Sequence, residues 1–407
     1  MRTTFSNKEV VLCVTGSIAA YKACDIASRL VALGFRVTPA LTASAARLIG
    51  PASLEAITGS RAITAMFDPI PNPEIEHIAV AMRASLFIVA PATANILAKA
   101  AHGIADDWIS TTLLATRAPI LFAPAMNTNM YQHVATQANI ETLRARGNIF
   151  IGPDSGRLAC GTTGKGRMID PQKIVEAAVA LVGREEDFAG TRVLISSGRN
   201  HEPIDPVRYI ANRSSGKMGR ALAMEGLSRG AEVTVVSGPA DVSMPYGVTE
   251  TRVTTALEMR DAVLRQLPEA DVFISVAAVA DYRVKTPAAS KRKRGDGQVS
   301  LELVENPDIL AEAGSRKLPD QVLVGFAAET DDLSENAADK LRKKKVDLMV
   351  ANQVGTEESG FGTDTLRAQF ISRDGAAEDL GLIPKEELAA RLFDYVRVLR
   401  DARKTSH

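Results

Sequence analysis

The sequence predicts an α/β protein made of two doubly wound parallel-sheet domains. Short apolar runs alternate with helix-like segments along almost the whole chain, which is the pattern of β-α-β units. The loops that follow the apolar runs are crowded with Gly, Ser, Thr and Asn, residue types suited to the carboxyl ends of parallel strands, where open sheets bind ligands. The pattern stops at a charged, glycine-led stretch, Gly183-Arg184-Glu185-Glu186-Asp187, and then restarts. One domain is therefore expected over residues 1–184 and a second over 190–407.

Composition agrees with a soluble enzyme. The 407 residues are 46% hydrophobic and 24% charged, with Lys+Arg and Asp+Glu balanced at 48 each. That balance argues against a nucleic-acid partner. Three cysteines (Cys13, Cys24, Cys160) cannot build a disulfide framework and suit a reducing compartment. No apolar run is long enough to span a bilayer, and residues 1–9 lack the apolar core of an export signal. The expected location is cytoplasmic, with no membrane partner.

Taken in order, residues 10–14 (Val-Val-Leu-Cys-Val) read as the first strand, running into Thr15-Gly16-Ser17 and a helix with apolar positions Ile26, Leu30 and Leu33. Amides at such a helix start bind anions. No Gly-x-Gly-x-x-Gly occurs here, so a mononucleotide phosphate is the expected ligand rather than a dinucleotide, against the alternative of a plain turn. A second strand at 36–41 leads into Thr42-Ala43-Ser44-Ala45, and a third at 86–90 into Pro91-Ala92-Thr93-Ala94-Asn95. Residues 120–123 read as a buried strand feeding Pro124-Ala125-Met126-Asn127. The Asn127 amide could hold a carboxylate or a flavin edge, or simply cap the helix expected over 132–146. His77, in an acidic context near a helix start, is either a surface histidine or a general base.

After a strand at 148–152, residues 153–168 form a glycine-rich polar stretch that is long for a connection within a domain, and it reads as a functional flap. Cys160 within it, near Lys165, Arg157 and Arg167, could act as a proton donor or thiolate. No Cys/His cluster has zinc-like spacing. Residues 170–181 read as a helix that closes the domain.

The second domain restarts with a strand at 192–196. Helix 216–229, strand 232–237, helix 256–267, strand 271–276, strand 321–326, helix 334–345 and strand 347–350 follow. Its loops carry Asn212-Arg213-Ser214-Ser215-Gly216-Lys217, whose end suits a phosphate at a helix start. Ala277–Tyr282 holds a lone acid, Asp281. The basic run Lys291-Arg292-Lys293-Arg294, and Lys340 with Lys344 four apart on one helix face, are either solvated surface or charge for a triphosphate.

Together, Gly16-Ser-Ile-Ala-Ala-Tyr-Lys22, Ala90-Pro-Ala-Thr-Ala94, Pro124-Ala-Met-Asn127, Ala159-Cys-Gly161 with Gly166-Arg-Met168, Asp205-Pro-Val-Arg-Tyr-Ile210, Asn212 with Ser-Ser-Gly-Lys217, Ala277–Tyr282, Asn306-Pro-Asp-Ile309 and Gly325-Phe-Ala-Ala-Glu-Thr330 resemble the family in which phosphopantothenoylcysteine decarboxylase is fused to phosphopantothenate–cysteine ligase. The resemblance covers nearly the whole chain in one collinear order. It implies a flavodoxin-like first domain and a Rossmann-like second one. In the first, Gly16, Ser17, Thr42 and Thr93 would bind FMN, with His77, Asn127 and Cys160 as catalytic residues. In the second, 4'-phosphopantothenate would be activated by CTP with Mg2+ and then joined to cysteine. There Asn212 would act on the acyl-cytidylate, and Ala277, Asp281, Lys291, Pro307, Asp308, Ile309, Leu310, Phe326, Lys340 and Lys344 would contact CTP. The resemblance also implies a homo-oligomer assembled from trimers into a dodecamer.

Three positions depart from the family pattern. Arg199-Asn200-His201 stand where small residues ending in Thr are usual, Thr162 stands for an aspartate, and Tyr131 for a tryptophan. Arg199 would lie near the phosphates, where its charge could anchor a phosphate but its longer side chain could block the site, and the first departure predicts weakened nucleotide affinity. Two other functions compete: a regulatory flavoprotein of the halotolerance phosphatase-inhibitor type, and a peptidyl-cysteine decarboxylase. The first commonly lacks part of the His/Asn/Cys set, all of which is present here, and the second has no use for a CTP-dependent half.

Overall fold

The computed structural model describes residues 5–6, 8–66, 76–183, 187–291, 300–329, 341–353, 362–373 and 375–404. Lys340 and Arg292-Lys293-Arg294 lie outside these residues, as does most of the helix expected over 334–345. The chain divides into two compact units, Met1–Arg184 and Glu185–His407.

In the first unit, β1 (Glu9–Val14), β2 (Arg36–Leu41), β3 (Leu86–Ala92), β4 (Ile120–Pro124) and β5 (Ile149–Phe150) pair in the order β2-β1-β3-β4-β5, all parallel. β1 and β3 are buried along their whole length, which is why they read as unbroken apolar runs rather than alternating ones. This is the flavodoxin-like order, and its topological switch point falls between β1 and β3. A two-stranded antiparallel hairpin, β6 (Asp154–Arg157) and β7 (Thr163–Arg167), forms the flap expected from its glycines.

A buried carboxylate braces the other end of this sheet. Glu9 is 2% exposed and accepts from Arg36 at 2.5 Å, Arg83 at 2.9 Å and the Thr38 hydroxyl at 2.7 Å. Arg83 ends the helix Glu76–Arg83, and Thr116 binds the Ala81 carbonyl of the same helix at 2.9 Å. The helix whose first turn carries His77 is thereby pinned at its far end.

The second unit has a larger sheet. β8 (Arg192–Ser197), the short pair β9 (Glu202–Pro203) and β10 (Tyr209–Ile210), β11 (Glu232–Ser237), β12 (Thr249–Arg252), β13 (Val272–Ser275), the hairpin β14 (Tyr282–Val284) and β15 (Leu303–Glu305), β16 (Val322–Glu329), β17 (Leu348–Gln353), β18 (Thr365–Ser372) and β19 (Ala377–Pro384) follow in sequence. The sheet runs β12-β11-β8-β13-β16-β17-β18-β19. Its first six strands are parallel, and β18 and β19 add an antiparallel edge that sequence reading did not anticipate. The terminal helix Lys385–Lys404 packs its Leu388, Leu392, Phe393 and Val396 into the core.

Arg229 locks this unit together. Fully buried, it donates to both Asp187 carboxylate oxygens and to Asp394 at 2.9 Å, and its guanidinium lies 5.0 Å from the Phe188 ring centroid. Phe188 in turn meets Phe393 edge-on at 5.0 Å. The second unit thus begins its packing at Asp187. Burial alone would raise the Asp187 pKa, but Arg229 outweighs it and holds the carboxyl below its ordinary value.

Asp187→Ala should destabilise this unit by about 2–4 kcal/mol, the smaller end reflecting the partners Arg229 keeps. Because the folded pKa is depressed, the contribution is complete above the unfolded aspartate pKa of about 4 and is lost as pH falls below it. Denaturant unfolding of full-length wild type and variant at pH 7 and pH 3.5 checks both statements: the difference should shrink at the lower pH.

Candidate functional site

In the first unit, three strand-end loops are stitched together beside the switch point. The buried Thr15 hydroxyl donates to the Pro91 carbonyl at 2.7 Å and lies 3.2 Å from both the Thr93 hydroxyl and the Thr93 amide. The Thr42 amide reaches the Val14 carbonyl at 3.1 Å. A side chain at Gly16 would place its Cβ 2.5 Å from that of Ser44, so only glycine lets these two loops touch. Ser17, Thr42 and Thr93 each cap a following helical turn, at Ala19, Ala45 and Ile96 respectively. The four expected cofactor-loop residues therefore share one rim. Thr15, which joins them, was not singled out from sequence, since a buried threonine at a strand end carries no periodic signal.

The flap is fixed against the loop after β4. The Met126 amide donates to the Gly166 carbonyl at 3.0 Å. A Cβ on Gly166, which has φ of +145°, would fall 2.3 Å from the Met126 carbonyl, and one on Gly164 would fall 2.4 Å from the Thr128 hydroxyl. This contact brings together two residues separated by 33 positions. Asn127 accepts from the Asn129 amide at 2.8 Å with its carbonyl oxygen, leaving its NH2 group to donate to Cys160 Sγ at 3.4 Å. Cys160 Sγ also lies 3.1 Å from the Thr162 hydroxyl. The thiol is exposed, yet its pKa is pulled down to about 7 by hydrogen bonds from the Thr162 hydroxyl and backbone and then from Asn127. Thr162 thus does at Cys160 what a bystander residue would not. Cys13, by contrast, is fully buried, and burial pushes its thiol far up.

No hydrogen bond among the described residues joins His77 to Asn127 or Cys160. Within one chain, the structure unites two of the three expected catalytic residues of this unit.

In the second unit, several of the expected residues that the structure describes lie on loops that meet beyond the carboxyl ends of β8 and β13. Ser275 pairs with Gly325, so the Ala277 loop leaves the sheet beside Phe326, which continues in β16. Asn212 donates to the Val279 carbonyl at 3.0 Å, joining its loop to the one that carries Ala277 and the exposed Asp281. Asn306 donates to the Ala280 carbonyl and, through its backbone, to the Asp281 carbonyl, both at 2.8 Å, which seats Pro307 and Asp308 beside the same loop. Asp308 caps the helix Ile309–Arg316 and pairs with Lys344 at 2.9 Å. Lys291 is exposed.

The side chains of Ile309 and Leu310 are 5% and 6% exposed and belong to the core, which leaves their backbone amides at the helix start as the polar groups these positions offer. Gly325 is required under them, since a Cβ there would lie 2.5 Å from Leu310. Arg199 does not project free charge into the site either. Its guanidinium donates to the Ser214 carbonyl and to Asp241 at 2.9 Å. Asn200 is fully buried, donating to Glu202 and accepting from the Ala280 amide at 2.7 Å, and Glu202 accepts from the Ala256 amide at 2.8 Å. His201 stacks on Tyr209 at 3.7 Å, and burial, reinforced by the Arg199 charge, lowers its pKa. The triplet is built into the fold, with Arg199 and Asn200 both engaged by protein partners. Lys217 is likewise engaged, by Asp364 and the Gly362 carbonyl, both at 2.7 Å.

The thiol at position 160 gives a direct check. Its alkylation rate, followed on the peptide by mass spectrometry, should reach half its maximum near pH 7. In Thr162→Val that midpoint should move up toward the ordinary thiol value of about 8.5. A wild-type midpoint already at that value would mean these hydrogen bonds do not act on the thiol.

The arrangement matches known proteins at both halves. A family model described as Flavoprotein matches residues 1–183, and one described as the DNA/pantothenate metabolism flavoprotein C-terminal domain matches residues 188–399. The chain is 43% identical over 397 residues to the coenzyme A biosynthesis bifunctional protein CoaBC of Bacillus subtilis, covering 97% of this chain and 98% of that one. Its identity to the Escherichia coli (strain K12) protein of the same name is also 43%, covering 97% of each. A crystal structure of the C-terminal domain of such a protein aligns with 54% of this chain and 100% of its own, at 37% identity and a TM-score of 0.47. Among the described residues, no helix is long and apolar enough to cross a membrane. The chain belongs to the family of bifunctional coenzyme A biosynthesis enzymes, a flavoprotein half followed by a pantothenate-metabolism half.

Proposed function

We propose that the chain carries out two consecutive steps of coenzyme A biosynthesis. Residues 190–407 join cysteine to 4'-phosphopantothenate, using CTP to form an acyl-cytidylate that the cysteine amine then attacks with loss of CMP. Residues 1–184 then remove CO2 from 4'-phosphopantothenoylcysteine to leave 4'-phosphopantetheine. The observation that carries this reading is the Asn127–Cys160 contact, a carboxylate-binding amide beside a thiol that can both hold and release a proton near neutral pH.

The rim of the first unit fits FMN. Its loops meet at the switch point, Gly16 admits a close approach, the helix Ala94–His102 begins there with free amides, and the dinucleotide fingerprint is missing. Bound there, FMN would supply a reversible two-electron oxidation at the carbon bearing the substrate thiol, so that electrons left by the departing CO2 delocalise onto sulfur. Asn127 holds the substrate carboxylate. Cys160 supplies the last proton. His77 acts on the decarboxylation from its pinned helix.

A trimer-based homo-oligomer, extended to a dodecamer, suits the exposed apolar side chains beside this rim. Ile18 and Tyr21 follow the Gly16 turn, and Met130 and Val134 follow Asn127. A second copy covering them would also bring another chain's residues to a rim that its own His77 does not reach by hydrogen bond. In the second unit, Lys344, Lys291, Lys340 and the amides at Ile309 and Leu310 would receive the CTP phosphates. Mg2+ would enter on the triphosphate, which needs only one or two protein carboxylates, and Asp281 is the exposed one on that loop. A cytoplasmic location follows from these substrates.

Incubation of the purified protein with 4'-phosphopantothenate, cysteine, CTP and Mg2+, read by mass spectrometry, should yield 4'-phosphopantetheine. Cys160→Ser should still release CO2 but stall at an oxidised, decarboxylated product two mass units lighter. His77→Ala and Asn127→Ala should fail before CO2 is lost. Normal product from Cys160→Ser at a normal rate would remove the cysteine from the mechanism.

A further inference from the structure

The triplet Arg199-Asn200-His201, where this chain departs from its family, surrounds the loop that bears Asn212. Each of its side chains crosses to a different neighbour of that loop. Arg199 reaches the Ser214 carbonyl, two residues beyond Asn212, and ties it to Asp241. The backbone repeats this tie, because the Asp241 amide donates to the Ser215 carbonyl at 3.0 Å and a Cβ on Gly216 would meet that of Ala240 at 2.7 Å. Asn200 holds the Ala280 amide at 2.7 Å, next to the Val279 carbonyl that accepts from Asn212. His201 stacks on Tyr209 with ring planes 12° apart, and Tyr209 lies three residues before Asn212 on the strand leading to it. Tyr209 is otherwise half exposed, and the buried Nε2 of His201 has no hydrogen-bond partner. The contact that the imidazole makes with Tyr209 is through its face.

We propose that Arg199 and His201 are positioning residues for the ligation step, clamping the Asn212 loop from both sides against the 277–281 loop. This rests on reading residues 190–407 as the ligase. The physical reason is preorganisation: a five-residue loop of Asn, Arg, Ser, Ser and Gly has no large apolar side chain to anchor it and relies on such polar ties, and a displacement of about 1 Å at a reacting group can cost on the order of 100-fold in rate. Arg suits the first role because its rigid planar fork fixes the direction of both bonds, to the carbonyl and to the carboxylate, where an ammonium on a flexible stem would leave them free to turn.

The test uses full-length protein and separates the two half-reactions. Acyl-cytidylate formation is followed with CTP, Mg2+ and 4'-phosphopantothenate alone, and its consumption after cysteine is added. In Arg199→Ala, formation and the KM for CTP should stay within about twofold of wild type, while consumption slows by roughly 10- to 100-fold and the intermediate accumulates. Arg199→Lys should fall between the two. His201→Ala should slow consumption by about tenfold, and His201→Phe, which keeps a flat ring on Tyr209, should restore most of it. Bound flavin and CO2 release from 4'-phosphopantothenoylcysteine should be unchanged throughout. Unaltered consumption in both alanine variants would overturn the proposal, as would a parallel loss of formation, CTP affinity and consumption, which marks a merely structural role. Wild-type protein that forms no acyl-cytidylate at all would instead overturn the ligase reading, and this inference with it.

Discussion

Of the described glycines in the first unit, Gly166 has the least room: the flap lies so near Met126, in the loop after β4, that no side chain fits between them. The rest of that site depends on this contact. Cys160 sits at the tip of a hairpin and is exposed, with no core around it to fix its position. What places its sulfur beside Asn127 is the pair of glycines, Gly164 and Gly166, that let the hairpin rest on Met126 and Thr128. The same contact accounts for part of the chemistry of the thiol: Thr162 lowers its pKa from within the hairpin turn, and Asn127 adds to that only when the flap is seated.

The second unit reaches a similar end by a different route. Its loops are joined by buried side-chain amides and carboxylates rather than by bare glycine contact. Asn200 and Glu202 together satisfy the amides of Ala280 and Ala256, so two loops and a helix start are held by one continuous polar link. Such a link is costly to break, because removing either partner leaves buried polar groups unmatched. It also shows how the Arg199-Asn200-His201 loop is held in place by the residues around it.

Much of this was legible in the sequence. The alternation of apolar runs and helices gave two restarted sheets, and glycine density marked the flap around Cys160 before any contact was known. The loops at Thr15–Ser17, Thr42 and Thr93 were legible as a set because small polar residues recur after each apolar strand. What escaped was of three kinds. The antiparallel edge strands β18 and β19 lie between turns with mixed polarity, so they lack the unbroken apolar signal of buried strands. The roles of Ile309 and Leu310 depend on which way a helix start faces, and their apolar side chains went to the core while their amides stayed outside. Arg199 and Thr162 act through partners 42 and two residues away, and residue type alone could not say that one was already paired and the other tuned a thiol.

The most direct measurement of the account is made on Gly166→Ala, in which the added methyl would collide with the Met126 carbonyl and lift the flap from Asn127. Both reactions are followed in one mixture of 4'-phosphopantothenate, cysteine, CTP and Mg2+. The account predicts that ligation continues and 4'-phosphopantothenoylcysteine accumulates, with 4'-phosphopantetheine reduced by at least about 100-fold. Formation of 4'-phosphopantetheine at the wild-type rate would contradict it, because the thiol and the amide would then not need the contact that brings them together.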